Sequence, residues 1–209
     1  MKIVQLSDKN AGEVLADVEE VIRNGGIAIV PTDTVYGIVG DARNESAIEK
    51  VFSIKNRPEE KAFPVFIGSV RDARRWAYIS DTKAAFLEKV WPGAMTVIFQ
   101  KKGYLPPILT NNKNTLGLRM PDSAFALKLL SFFDFPILQT SANISSSPPA
   151  KTLDEVLSYF QNEDSIDYVV DGGELPGSPS TVIDFTSDHP IVLRSGIVTK
   201  EELDRLLGL

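Results

Sequence analysis

Six short clusters of this 209-residue chain carry side chains that could do chemistry. The first is PTDTVYG at 31–37, which follows the apolar run IAIV at 27–30 and presents Thr32, Asp33, Thr34 and Tyr36. The second, KNRPEEK, holds Lys55, Arg57 and Lys61; the third, TLGLRMP, holds Thr115 and Arg119. The fourth, TSANISSSPPAKT, holds Thr140, Ser141, Asn143 and Lys151. The fifth, GSPSTVID, contributes Ser178, Ser180 and Thr181, and the sixth, VLRSG, contributes Arg194. Each has a plain structural explanation: turn chemistry for the hydroxyls and Asn, a helix C-terminus for the Lys-x-Arg pair, a solvated strand face for a lone Arg. Together they fit recognition of a small polyanion. Guanidinium groups grip phosphate or carboxylate with a planar fork, while hydroxyls and amides read the rest of a ligand. Open α/β sheets place such sites at the ends of their strands.

Other chemistries lack their residues. There is no Cys, so disulfides, thiolate metal sites and Cys nucleophiles drop out. The single His, His189, sits in SDHPIV and reads as a turn residue, which leaves no Ser–His triad and no multi-His metal site. No G-x-x-x-x-G-K-[ST] and no G-x-G-x-x-G occurs, and DGGELPGS at 171–178 reads as a loop. The net charge of −6 argues against a protein that coats nucleic acid by bulk charge, though a local basic pocket is compatible with it. RDARR at 71–75 reads as a solvated helix face, and it is where an RNA contact would be sought first. No apolar run approaches the ~20 residues of a membrane span. The start, MKIVQLSDKN, resembles neither a signal nor a transit peptide, so a cytoplasmic protein is expected.

The elements that must position these residues alternate. NAGEVLADVEEVIRNGG reads as a helix with Val14, Val18, Val21 and Ile22 inward, Asn10 and Glu13 at capping spacing, and Gly25-Gly26 as its stop. NESAIEKVFSIK, two segments near 69–77 and 81–91, SAFALKLLSFF, TLDEVLSYFQN and TKEELDRLL also read as helices. The last two open with capping boxes, Thr152/Glu155 and Thr199/Glu202. Strands are expected at 27–30, 63–68, 94–100, 115–121, 136–140, 167–171, 180–186 and 190–195. This alternation of strands and helices predicts an α/β domain over 1–209 with a mixed twisted sheet, because not every strand pair has a helix between.

The order PTDTVYG, Lys55-x-Arg57-Pro58, LRMPD, Ser141-x-Asn143, STVIDFT and VLRSG resembles the YrdC-type proteins, also called TsaC, the threonylcarbamoyl-AMP synthases. The likeness runs from about residue 10 to residue 200 and matches the short, single-domain form. It implies a twisted α/β sheet with a concave, positively charged cleft. It also implies a reaction of L-threonine, bicarbonate and ATP that yields threonylcarbamoyl-AMP and pyrophosphate, with Mg²⁺ accompanying the nucleotide. The product would serve threonylcarbamoyladenosine formation in tRNA, through downstream threonylcarbamoyl-transfer proteins.

Carried over position by position, the resemblance puts Thr34, Arg119, Ser141 and Ser180 on threonine. It puts Arg57, Lys61, Thr115, Asn143, Lys151 and Arg194 on ATP, and Lys55, Arg57, Ser141 and Asn143 at the reacting groups. No carboxylate cluster identifies itself as a metal cage, so phosphates and water are expected to hold the ion. The chain departs from the family pattern in three places: KAFPVFI replaces the usual Lys/Asn-Pro-Leu, Phe66 stands where a polar residue is common, and Ser145-Ser146 replaces Ser-Gly. Glycine at the last position would allow a positive φ. Three rival readings are a double-stranded RNA or tRNA-binding module without turnover, a carbamoyl-adenylating relative, and a nucleotide sensor. The carbamoyl-adenylating relatives carry Cys-rich segments that this chain lacks.

Overall fold

The computed structural model describes residues 1–56 and 62–207. The chain runs β1 (Lys2–Gln5), α1 (Ala11–Arg23), β2 (Ala28–Val30), β3 (Gly37–Asp41), α2 (Glu45–Ile54), β4 (Val65–Phe66), α3 (Val70–Trp76), α4 (Asp81–Val90), β5 (Met95–Gln100) and a 3₁₀ turn (Pro107–Thr110). It continues with β6 (Thr115–Arg119), α5 (Ala124–Leu130), β7 (Ile137–Ser141), α6 (Leu153–Phe160), β8 (Tyr168–Asp171), β9 (Thr181–Asp184), β10 (Ile191–Arg194) and α7 (Lys200–Leu207).

Helix boundaries follow local chemistry. Asn44, Ser69, Ser80, Ser123 and Thr152 each accept a bond from the backbone N–H three residues on, which satisfies one of the free donors at a helix start. Such a cap contributes about 1 kcal/mol. The Thr199/Glu202 box is reciprocal, with bonds of 2.9 and 3.2 Å. The Thr152 box is modified: Glu155 reaches back one residue further, to the Lys151 N–H at 2.7 Å. Asn10 departs from expectation. Its side chain makes no cap bond and instead accepts from the Ser7 N–H at 2.8 Å, closing the turn out of β1. On α1, Val14, Leu15, Val18 and Ile22 are buried and Val21 packs partly buried against the same cluster, so the expected inward face also takes in Leu15.

The ten strands form one sheet in the order β1-β8-β2-β3-β7-β4-β6-β5-β9-β10. It is mixed, as expected: β1–β8, β8–β2, β4–β6 and β5–β9 are parallel and the other neighbours antiparallel. Two strands were not anticipated. β1 is an edge strand, mostly exposed, that pairs with β8 alone. β3 begins with Gly37 and carries Gly40, whose hydrogen faces Ile27; a Cβ at Gly40 would stand 3.2 Å from the Ile27 side chain. What makes these segments strands is the neighbours they bond to, which local pattern does not reveal.

Side-chain alternation divides the core. Ile29, Ile38, Leu138, Val65, Leu118, Val97 and Ile183 join a cluster with the buried face of α2. Ala28, Val30, Val39, Ile137, Phe66 and Val170 join a second cluster with α1 and α5. Phe66 is 2% exposed, so the departure from the family pattern there is a core residue. Farther along the sheet the alternation changes meaning. On β6, Leu116 and Leu118 are buried while Thr115 and Gly117 stay partly open; on β5, Met95, Val97 and Phe99 are buried while Ile98 is partly open. Thr96, Ile98, Thr115, Gly117 and Arg119 floor a cleft.

Candidate active site

PTDTVYG connects β2 to the antiparallel β3, so it is a hairpin connection and not the strand-to-helix turn of a parallel sheet. Its polar groups turn inward. Thr32 is 5% exposed, and its Oγ1 accepts from the N–H groups of Thr34 and Val35 at 3.1 and 3.3 Å. Its hydroxyl also lies 2.7 Å from the Val35 carbonyl, so Thr32 shapes the turn. The buried Tyr36 hydroxyl donates to the Gly173 carbonyl at 2.8 Å and accepts from the Gly172 N–H at 2.9 Å. Burial pushes this phenol up to about 12. The Gly177 N–H bonds the Thr34 carbonyl at 2.9 Å, so the 172–180 segment is fastened along the turn.

Arg119, at the end of β6, meets this turn. Its guanidinium donates from Nη1 to Thr34 Oγ1 at 3.1 Å, from Nη2 to Asp33 Oδ1 at 2.7 Å and from Nε to the Gly93 carbonyl at 3.1 Å. Burial lowers its pKa, and the Asp33 carboxylate opposes that shift. Two strands along the sheet, just before β9, Ser180 Oγ lies 3.0 Å from Thr96 Oγ1 and 3.3 Å from the Arg194 Nη2. Arg194 also donates to the Ser180 carbonyl from Nε and Nη2, at 3.2 and 2.8 Å, and burial lowers its pKa. Gly196 allows this approach. A Cβ there would stand 2.3 Å from the Pro179 carbonyl oxygen.

The third corner is the end of β7. Ser141 Oγ donates to Asn143 Oδ1 at 2.6 Å, and Asn143 Nδ2 donates to the carbonyls of Ile144 and Ser147 at 2.9 and 2.6 Å. Lys55 Nζ, from the end of α2, donates to the carbonyls of Ser141 and Asn143 at 2.5 and 2.8 Å and to Asn143 Oδ1 at 3.1 Å. Ser146 in this turn has φ +72°, the backbone conformation for which glycine is the usual residue.

These corners border one cleft of about 460 Å³. Thr34, Thr115, Arg119, Ser141, Asn143, Ser180 and Arg194, all anticipated, line it. Lys55 does not; it is 2% exposed and holds the Ser141–Asn143 backbone. Lys151 also stands outside the lining and pairs with Glu174 at 3.1 Å. Arg57 and Lys61 lie outside the described residues. Thr96, Lys113 and Gln139 line the cleft and were not anticipated. The alternation of AMTVIFQ could have singled out Thr96, but Lys113 sits in a loop with no periodic signal. Among the described lining residues the charged ones are Lys113, Arg119 and Arg194, and no carboxylate is among them. Among all described residues no group of three His, Asp or Glu forms a metal cage, and no helix is long and apolar enough to cross a membrane. In RDARR, Arg74 pairs with Asp81 and Arg75 with Asp72.

The same arrangement of elements occurs in proteins already solved. The Pyrococcus abyssi Sua5 structure complexed with L-threonine superposes with a TM-score of 0.90 at 31% identity, over 99% of this chain and 60% of that one. In sequence, a Methanocaldococcus jannaschii relative described as a candidate threonylcarbamoyl-AMP synthase is 34% identical over 98% of this chain and 96% of its own length. The Pyrococcus abyssi threonylcarbamoyl-AMP synthase is 35% identical over 90% of this chain, which spans only 55% of that relative. The profile of the Sua5/YciO/YrdC family, described as telomere recombination, matches residues 20–196. With the profile covering most of the chain and the cleft-forming elements shared with a solved relative, this protein belongs to the Sua5/YciO/YrdC family.

Proposed function

We propose that this chain is a threonylcarbamoyl-AMP synthase. The observation that carries the reading is the convergence of Arg119 with Thr34, Ser180 with Arg194, and Ser141 with Asn143 on a single cleft. The relatives' names and the threonine complex of the Pyrococcus abyssi structure support the choice of substrate. The amine nitrogen of L-threonine attacks the bicarbonate carbon, and water leaves to give the carbamate. A carbamate oxygen then attacks the α-phosphorus of ATP; its bond to the β-phosphate bridging oxygen breaks and pyrophosphate departs. Both reactants are anions, so the chain's task is to offset their repulsion and hold them in line. Arg119 offers N–H groups to the threonine carboxylate, beside the Thr34 and Ser180 hydroxyls. Arg194, Thr115 and Asn143 face the nucleotide, while Lys55 acts one step back by holding the Ser141–Asn143 corner. Arg57 and Lys61 complete the phosphate contacts in this reading.

Mg²⁺ accompanies ATP and screens its phosphates. Among the described lining residues there is no carboxylate to hold the ion, which fits an ion carried by phosphates and water. A cytoplasmic place and delivery of the product to tRNA through a transfer protein complete the reading. The RNA-binding alternative gains nothing from RDARR, where two of three arginines are tied to neighbouring carboxylates. Pyrophosphate release measured with each of L-threonine, bicarbonate and ATP left out in turn tests the proposal. Release should require all three and should coincide with threonylcarbamoyl-AMP by mass. Release that ignores threonine would refute it.

A further inference from the structure

We infer that Asp33 is a positioning residue for substrate recognition: it aims the Arg119 guanidinium into the cleft and cancels its charge. The inference rests on the synthase reading and goes beyond the roles that reading assigns. Arg119 has five N–H donors, of which three go to Gly93, Thr34 and Asp33. These three bonds engage Nε and both Nη atoms, so the group is held against rotation. One N–H on each Nη is left, and Arg119 lines the cleft, so donors remain for a bound acceptor. Arg119 lines the cleft and Asp33 does not; the Asp33 carboxylate is 11% exposed.

Asp33 sits in a fastened stretch of backbone, between Thr32, whose hydroxyl pins the turn, and Thr34, whose carbonyl is bonded by Gly177. The ion pair is therefore anchored on a held turn. It also has a fixed charge balance. A guanidinium 2% exposed and without a counterion would be costly, and it would attract any small anion. Paired with Asp33, it is neutral overall and selects by hydrogen-bond geometry. A carboxylate placed by the rest of the threonine site can take the remaining donors, and a free anion without those other contacts gains little from charge alone.

Steady-state kinetics of pyrophosphate release test this. Wild-type protein must first show threonine-dependent release; if it does not, the synthase reading fails, separately from this inference. In Asp33→Ala the guanidinium loses its aim, so KM for L-threonine should rise about tenfold or more while KM for ATP stays within about twofold. Asp33→Asn keeps an acceptor oxygen and should recover most of the threonine KM, yet sulfate should now compete with threonine at about threefold lower concentration or less, because the cation is no longer cancelled. A purely structural residue would move both KM values together and leave sulfate inhibition alone. Equal effects on the two substrates, or Asp33→Asn with unchanged sulfate inhibition, would overturn the inference. Should Asp33→Ala fail to fold, the Asn variant and its sulfate response decide alone.

Discussion

Lys55 and Asn143, 88 residues apart, are joined twice: the Lys55 ammonium donates to the Asn143 main-chain oxygen at 2.8 Å and to its side-chain oxygen at 3.1 Å. With the bond to the Ser141 carbonyl, a buried cation organises the corner where β7 ends. Lys55→Met removes the donor and leaves these oxygens enclosed without it. The expected cost is about 1–3 kcal/mol in global stability, together with a loss of pyrophosphate release larger than that cost explains. Denaturant titration and the activity assay, run on the same preparation, separate the two. Unchanged activity would mean that the corner is not part of the site.

Gly196 is where the chain after β10 passes closest to the Ser180 backbone. An added methyl group would meet the Pro179 oxygen at 2.3 Å, the Ser180 carbonyl carbon at 2.5 Å and the Thr181 nitrogen at 2.6 Å, all of them main chain. Gly196→Ala must therefore displace Ser180 or Arg194. We expect a destabilisation of about 1–3 kcal/mol and a raised KM for L-threonine. A variant with wild-type melting temperature and kinetics would show that this approach tolerates movement.

Tyr36 gives an alkaline signature. Its folded pKa, raised to about 12, lies above the ~10 of an unfolded tyrosine. The folded state keeps the proton longer, so the contribution is fully present below pH ~10 and is lost as pH rises toward about 12. Tyr36→Phe removes this part of the alkaline decline. At neutral pH it strands the Gly172 N–H and the Gly173 carbonyl, at a cost of about 1–2 kcal/mol. Stability measured from pH 7 to 12 should fall less steeply in the variant; parallel curves would contradict the assignment.

Ser146 occupies a left-handed conformation at φ +72°. A residue with a Cβ is strained there by about 1 kcal/mol, and glycine is not, although glycine also frees the unfolded chain. Ser146→Gly is expected to be neutral or to stabilise by up to about 1 kcal/mol, and Ser146→Val to destabilise by about 1–2 kcal/mol. Denaturant midpoints check both. A stabilising Val would show that the turn does not keep this geometry.

Much of the fold was legible locally. Periodicity located the helices, and the Ser, Thr and Asn caps marked their starts, because a helix begins where its own backbone donors find an acceptor. β1 and β3 were not legible: a strand that is exposed or rich in glycine is defined by its partners across the sheet. Seven of the anticipated site residues share the cleft, since their types are what a polyanion site requires wherever it forms. The alternation of AMTVIFQ sets Thr96 apart from its apolar neighbours, but that its face borders a cleft appears only when β5 is placed beside β6 and β9.

Taken alone, the amino-acid order determined the inventory: which side chains could hold an anion, which chemistries were missing their groups, and which family the motifs resemble. Tertiary structure decided what each cation does. Lys55, placed by the resemblance at the reacting groups, turned to main-chain oxygens of a distant strand end, and Lys151 turned outward to Glu174. Arg119 found Asp33 86 residues earlier in the chain. The reason is that the effect of a charge depends on the distance to its nearest partner and on how much water lies between them. Both are properties of the packed molecule and not of residue spacing.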